Sequence, residues 1–219
     1  MSRQPEAILF DLDGTLIDTA LDFYSVVNGL RAEEGMAALP DNRIREQVSN
    51  GGVALACLTW GITREHPEIS VYRQRLLDRY ESTVGNSAAL FKGFTSLLAH
   101  LDRTLIPWGI VTNKPRVYTD LLLERMSLAC NYVVCPEDVE HTKPAPDSLL
   151  LCARQMGVSP DRCWYVGDHI RDIQAAQAAN MKSIVALFGY IERHDNPQSW
   201  GADVYISDVR ELQALLNSH

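Results

Sequence analysis

Nowhere in the 219 residues is there an apolar run near the about 18 positions that a bilayer-spanning helix needs, so no membrane partner is expected. Basic residues are scarce, 20 Lys and Arg against 28 Asp and Glu for a net charge of −8, and they form no long run. Binding to a nucleic-acid backbone relies on a basic surface, so that partner is excluded too. Cysteine is sparse: Cys57, Cys130, Cys135, Cys152 and Cys163 are odd in number and never form C-x-x-C. Neither a disulfide framework nor a thiolate zinc site is expected, and a reducing cytoplasm fits. The polar stretch Met1-Ser2-Arg3-Gln4-Pro5-Glu6 has no signal-peptide core, which points to the same location. Internal repeats and low-complexity segments are absent. The G-x-x-x-x-G-K-[ST] pattern of P-loop kinases is absent as well.

What is present is apolar material in short blocks, 46% of the chain. Ala7-Ile8-Leu9-Phe10 is a brief continuous apolar run that stops at Asp11-Leu12-Asp13-Gly14-Thr15. Such a run reads as a strand buried on both faces, the parallel-sheet type. Similar runs recur at Ile106–Val111, Tyr132–Val134, Cys163–Val166, Ser183–Ala186 and Val204–Ile206. Helical spacing is found between them, over Pro115–Met126, Pro146–Met156 and Ile170–Ala179, and at Val209, Leu212, Leu215 and Leu216. Strand then helix, repeated, predicts an α/β fold with a parallel sheet and helices on both faces.

Residues 18–89 break that rhythm. They hold no convincing strand but four amphipathic stretches, Ala20–Glu34, Asp41–Val48, Val53–Trp60 and Glu68–Thr83. Gly35, Gly51-Gly52, Gly61 and Pro67 punctuate them. The expected organisation is a helical domain, 18–89, inserted into an α/β core of 1–17 and 90–219. Ordinary crossover helices joined by long loops are the alternative.

Ligand sites in open α/β sheets lie outside the carboxyl ends of the strands. Here the first strand ends at Asp11, the second at Thr112-Asn113 and the fourth at Gly167-Asp168, with Lys143 in the loop after the third. Four loops on one edge of one sheet would bring these groups together.

In order and spacing, Asp11-x-Asp13-Gly14-Thr15, Thr112-Asn113, Lys143-Pro144 and Gly167-Asp168-x-x-x-Asp172 resemble the four motifs of the haloacid dehalogenase superfamily. The resemblance covers the chain from Ile8 to about Ala186. It implies a Rossmann-like core with a small α-helical cap domain between the first two motifs. Crowded carboxylates cannot all ionise without a cation, and oxygen ligands beside a phosphate favour Mg²⁺. The family pattern implies that an Asp11 side-chain oxygen, the Asp13 carbonyl and the Asp168 carboxylate hold the metal, with Asp172 behind them. It further implies that Asp11 is the nucleophile and Asp13 the acid and then base, while Thr112, Asn113 and Lys143 bind the phosphate. A metal and placed cations would reverse the overall acidity locally. The expected partner is a small phosphorylated metabolite, met by a monomer or homodimer.

Within the superfamily, Trp108–Pro115, Cys135–Val139, Gly189-Tyr190-Ile191 and Trp200–Asp203 resemble the phosphoglycolate phosphatase-like branch. They look closer still to its N-acetylmuramic acid 6-phosphate phosphatases of cell-wall recycling. The resemblance therefore implies hydrolysis of that sugar phosphate, with 2-phosphoglycolate as the alternative and a phosphomutase as a further one. A dehalogenase would need no acid at Asp13, and a non-enzymatic relative would be expected to have lost one of Asp11, Asp13, Lys143 or Asp168. Ser49-Asn50-Gly51-Gly52 is a candidate substrate loop or a plain turn. His169 is read as a solvent-facing residue or a tuner of the site's rim.

Overall fold

The computed structural model describes residues 4–217, so Met1, Ser2 and Arg3 of the polar N-terminal stretch lie outside the described residues, as do Ser218 and His219. Six strands form one parallel sheet: β1 (Ala7–Phe10), β4 (Trp108–Val111), β5 (Val133–Val134), β6 (Cys163–Gly167), β7 (Lys182–Ala186) and β8 (Val204–Ile206). Their order is β5-β4-β1-β6-β7-β8. All four side chains of β1 are fully buried, which is why the run is apolar at every position. Burial still alternates between faces. Ile8, Phe10, Trp164 and Val166 enter one apolar cluster, and Ala7, Leu9, Cys163 and Tyr165 enter another.

Helices cover both faces, as their apolar stripes require. On the first face lie α5 (Phe94–Thr104), α6 (Arg116–Arg125) and α9 (Val209–Asn217), through Leu97, Leu122 and Leu212 among others. On the second lie α7 (Asp147–Met156) and α8 (Ile170–Ala178), through Leu149, Cys152 and Ala175. The chain runs outward from β1 to β4 and β5, then returns past β1 to β6. That reversal opens a crevice at the carboxyl ends of β4, β1 and β6.

Between β1 and α5 come α1 (Ala20–Glu33), α2 (Asp41–Val48), α3 (Gly51–Trp60) and α4 (Ile69–Thr83), which pack on one another. The apolar cluster of the first face continues into them through Phe23, Val27, Leu55, Leu76 and Tyr80. Two short strands flank the four helices, β2 (Ile17–Asp18) and β3 (Ala89–Leu90), paired antiparallel. The expectation of no strand in 18–89 is corrected there, since Asp18 and Ala89 each belong to one. Two-residue strands carry no readable period, and their pairing is a long-range contact. Helix α5 was also not anticipated from the sequence, although Phe94, Leu97, Leu98 and Leu101 are its buried stripe.

Other differences are at element ends. The expected strand from Ile106 starts only at Trp108, because Ile106 N–H bonds back to Leu101 O at 3.0 Å and Pro107 has no N–H for a ladder. Gly51 and Gly52 fall within α3, ahead of the expected start at Val53. Among the described residues all five cysteines are free thiols, and no helix is long and apolar enough to cross a membrane.

Candidate active site

The residues expected from the motifs meet at one edge of the sheet. Asp11 follows β1 directly, and its backbone N–H donates to Val166 O at 2.9 Å, keeping it in register with β6. Its side chain is met by Lys143 Nζ, which donates to Asp11 Oδ1 at 2.8 Å. The same ammonium donates to Asp172 Oδ1 and to Tyr165 Oη, each at 2.8 Å, and to Val111 O at 3.0 Å. Lys143 is 3% exposed, so its charge depends on these acceptors. Burial works to lower its pKa, but Asp11 and Asp172 outweigh that and hold it above the usual lysine value.

One carboxylate oxygen from each of Asp11, Asp168 and Asp172 lies within 4.8 Å of the other two, all buried. Asp172 has both oxygens engaged, Oδ1 by Lys143 and Tyr165 and Oδ2 by the His169 N–H at 3.0 Å. Burial alone would raise its pKa, but Lys143 and Arg171 hold it below the ordinary carboxylate value. Asp172 thus positions Lys143. Asp168 has no such cation: burial, then the charges of Asp11 and Asp172, push its pKa to about 8. Asp11 is raised by burial to about 6, with Lys143 pulling against the rise. Lys143 pairs with both Asp11 and Asp172, while Asp168 has no ion pair among the described residues.

The backbone closes tightly on Asp168. Tyr190 N–H donates to its Oδ2 at 2.7 Å and Thr15 Oγ1 donates to its Oδ1 at 3.3 Å. A Cβ on Gly14 or on Gly189 would lie 2.2 Å from Asp168 atoms, and Gly14 has φ +83°. Only glycine fits at either place, which explains the Gly in Asp13-Gly14-Thr15 by packing as well as by conformation.

Asp13 stands apart from the buried trio. Its Oδ1 accepts from Lys114 Nζ at 3.0 Å and from Thr19 Oγ1. Lys114 was not singled out from the sequence as a site residue. Its side chain is 7% exposed and lies over the Tyr80 ring at 4.7 Å, so α4 covers it. The available signal was its place immediately after Thr112-Asn113, on a loop already assigned to the site. Tyr165, alternating with buried apolar neighbours on β6, gave no signal at all.

A cleft of about 270 Å³ opens above these groups. Its core-side wall includes Asp11, Asp13, Thr112, Asn113, Lys114, Lys143 and Arg171, and its other wall comes from α1–α4, including Phe23, Leu55, Arg73 and Tyr80. The Thr112 N–H is spent on Val134 O, so its hydroxyl is what it offers the cleft. Asn113 lines the cleft too, but its amide nitrogen donates to Lys143 O at 2.9 Å and so holds the Lys143 loop. Ser49, Asn50, Gly51 and Gly52 also line the cleft, tied to the core by Arg171 Nη2 on Ser49 O at 2.6 Å and by Asn50 Nδ2 on Glu192 Oε1 at 2.7 Å. Half-buried, His169 caps α8, with Nδ1 accepting from the Arg171 N–H at 3.2 Å.

Comparison with known proteins agrees with this geometry. The family model for haloacid dehalogenase-like hydrolases matches residues 8–186. The chain is 37% identical over 214 residues to the N-acetylmuramic acid 6-phosphate phosphatase of Pseudomonas aeruginosa, covering 97% of this chain and 95% of that protein. It is also 37% identical over 212 residues to the phosphoglycolate phosphatase of Xanthomonas campestris pv. campestris, covering 96% of each. Among solved structures, one titled a predicted phosphoglycolate phosphatase from Haemophilus somnus superposes with a TM-score of 0.83 at 20% identity, over 98% of this chain and 99% of that one. CbbY from Rhodobacter sphaeroides, in complex with phosphate, gives 0.73 at 24% identity, over 95% and 96%. These two likenesses speak to the fold; the family and the activity follow from the sequence relatives. The chain belongs to the haloacid dehalogenase-like hydrolases, and it is a phosphatase.

Proposed function

We propose that this phosphatase is Mg²⁺-dependent, works through an aspartyl phosphate on Asp11, and prefers N-acetylmuramic acid 6-phosphate. The observation that carries the chemistry is the buried Lys143, bonded at once to Asp11 and Asp172 on the floor of a cleft that α1–α4 close over. In this reading residues 18–89 act as the cap of a core formed by 1–17 and 90–219.

The donor set fits a small hard dication. Oxygen ligands are at hand, and a single lysine faces three buried carboxylates, of which Asp168 has no ion pair among the described residues. Asp11, the Asp13 carbonyl and Asp168 would hold Mg²⁺, and bound there it supplies charge neutralisation for the phosphoryl group. Asp172 is already saturated by Lys143, Tyr165 and the His169 N–H, so it stays behind that shell.

The chain's own residues account for the remaining steps. The free Asp11 carboxylate oxygen attacks phosphorus as the ester P–O bond breaks, while Lys143 fixes Oδ1. Asp13 gives a proton to the departing alkoxide. Lys114 and Thr19 both hold Oδ1, which leaves Oδ2 to carry that proton. Water then attacks phosphorus, returns a proton to Asp13 and breaks the P–Oδ bond, releasing free phosphate. Thr112 hydroxyl bonds the phosphoryl oxygens, and Asn113 helps chiefly by holding Lys143.

A metal-linked pH dependence follows. The folded-state values of Asp168, about 8, and Asp11, about 6, lie above the ordinary 3.8. Protonation therefore stabilises the metal-free fold at low pH, and that contribution is lost as pH rises through these values. Mg²⁺ binds the deprotonated carboxylates, so its stabilising effect should grow over the same window. The Tm difference between Mg²⁺ and EDTA samples should widen between about pH 5 and about pH 8. A difference that is absent, or flat with pH, would contradict the ligand assignment.

The substrate preference is supported by the 37% identity to the Pseudomonas enzyme over almost the whole chain. The Xanthomonas relative is equally similar, which keeps 2-phosphoglycolate as the second reading. The deciding measurement is kcat/KM across a phosphometabolite panel. N-acetylmuramic acid 6-phosphate should rank above 2-phosphoglycolate, with free phosphate as product. The reverse order would overturn the substrate, and an isomeric sugar phosphate as product would indicate a mutase. The free thiols fit a cytoplasmic enzyme, acting as a monomer or homodimer on a small soluble metabolite.

A further inference from the structure

The cleft lining has a sign opposite to that of the whole protein. Four cations face it, Arg73, Lys114, Lys143 and Arg171, against two carboxylates, Asp11 and Asp13, in a chain of net charge −8. Lys143 is paired with Asp11 and Asp172, and Lys114 with Asp13. Arg73, on α4, is half-buried and pairs with no carboxylate among the described residues. It lies along Gly52: its Cγ and Nε are each 3.6 Å from where a Cβ would stand there. Arg171 uses Nη2 on Ser49 O, yet its Nε is buried without a hydrogen-bond partner among the described residues. An unbonded buried N–H of this kind is destabilising unless a ligand accepts from it.

The first turn of α3 adds to the same wall. Asn50, Gly51 and Gly52 line the cleft, Asn50 makes no side-chain cap, and no acid stands in that first turn. The leading N–H groups of this ten-residue helix therefore have no side-chain cap and no first-turn acid, although the Asn50 side chain holds Glu192 at 2.7 Å. Three independent features, on α3, α4 and α8, thus leave positive character in one cleft beyond the groups assigned to phosphoryl transfer.

We propose that Arg73, assisted by Arg171 and the first turn of α3, forms a carboxylate subsite that selects phosphate esters which are also carboxylic acids. A planar guanidinium bonds a carboxylate through two parallel N–H donors, so it can recognise such a group at a distance from the reacting phosphate. The substrates named for the two 37%-identical relatives, N-acetylmuramic acid 6-phosphate and phosphoglycolate, share this combination of groups. The subsite deepens the reading of Asp11 as the reacting end of the cleft, and rests on it.

The test compares matched pairs that differ in the carboxylate: N-acetylmuramic acid 6-phosphate with N-acetylglucosamine 6-phosphate, and 2-phosphoglycolate with ethyl phosphate. The wild-type protein should favour the acid in at least one pair. Arg73→Met should lower kcat/KM on that acid by about 30-fold or more, mainly through KM, and on its partner by no more than about 3-fold. Arg73→Lys should recover part of the preference. An equal fall on both members, or no wild-type preference in either pair, would overturn the subsite. Calorimetric binding of N-acetylmuramic acid against N-acetylglucosamine to the wild-type protein adds a readout free of turnover and of variant folding. Equal affinities for the two, with no preference for 2-phosphoglycolate over ethyl phosphate, would overturn it as well. A preference for 2-phosphoglycolate alone would keep the subsite and remove the sugar phosphate as substrate.

Discussion

Asp11→Asn should leave the protein folded and abolish Mg²⁺-dependent phosphate release from an aryl phosphate ester, a loss of at least about 10³-fold. The substitution keeps the shape of the side chain, and the amide oxygen can still accept from Lys143 Nζ. What disappears is a carboxylate able to form an acyl phosphate, so no partial chemistry is available by the same route. The fold should not suffer. Asp11 is one of three clustered carboxylates, and its own raised pKa, about 6, shows that its neutral form is favoured by burial. In EDTA at about pH 8 the variant should unfold at or above the wild-type temperature, because one repulsion on Asp168 is gone. Phosphate release and thermal unfolding on the same preparation check both halves. Appreciable turnover by a folded variant would refute the nucleophile.

Lys143→Met should act in the opposite direction on stability. Nζ shares its three N–H donors among four acceptors, two of them carboxylates, from a side chain only 1% exposed. Methionine fills similar space but leaves Asp11 and Asp172 buried without their cation. Breaking a buried pair from one side costs about 3–5 kcal/mol, far more than the net worth of an exposed pair. Urea unfolding in EDTA near pH 8 should show a loss of that size, and the deficit should shrink at lower pH as the stranded carboxylates protonate. A loss under about 1 kcal/mol would mean that the charges are solvated after all. Should the single variant be too unstable to purify, Lys143→Met with Asp11→Asn should recover stability, because the second change removes one of the stranded charges.

The meeting of the motif residues at one edge of the sheet has a physical basis. A parallel strand places its last residue at the carboxyl edge of the sheet whatever its neighbours are, so the apolar run Ala7–Phe10 located Asp11 before any contact was known. Asp168, at the end of β6, was placed by the same logic, and so were Thr112 and Asn113 after β4. Residues that act from within an element escape such reasoning. Tyr165 is in the middle of β6, and its hydroxyl reaches Lys143 and Asp172 only because its side chain points to the second face of the sheet. Lys114 is joined to the cleft through Asp13, 101 positions earlier, and through the ring of Tyr80 on α4. Arg171 meets Ser49 O, 122 positions earlier, only in the folded chain.

By itself, then, the sequence determined most of the strand–helix alternation, the four successive helices after the first strand, the strand-end carboxylates and the order of the motifs. These depend on local periodicity and on chain direction, which are written in neighbouring residues. Tertiary structure alone decided which charges neutralise one another and which stay free. Lys143 is held by Asp11 and Asp172, Lys114 by Asp13, and Arg73 by no carboxylate among the described residues. The antiparallel pairing of Ile17–Asp18 with Ala89–Leu90 was decided in the same way. Ion pairing and ladder formation join positions far apart in the chain, and their energies depend on burial, which no short window of sequence contains.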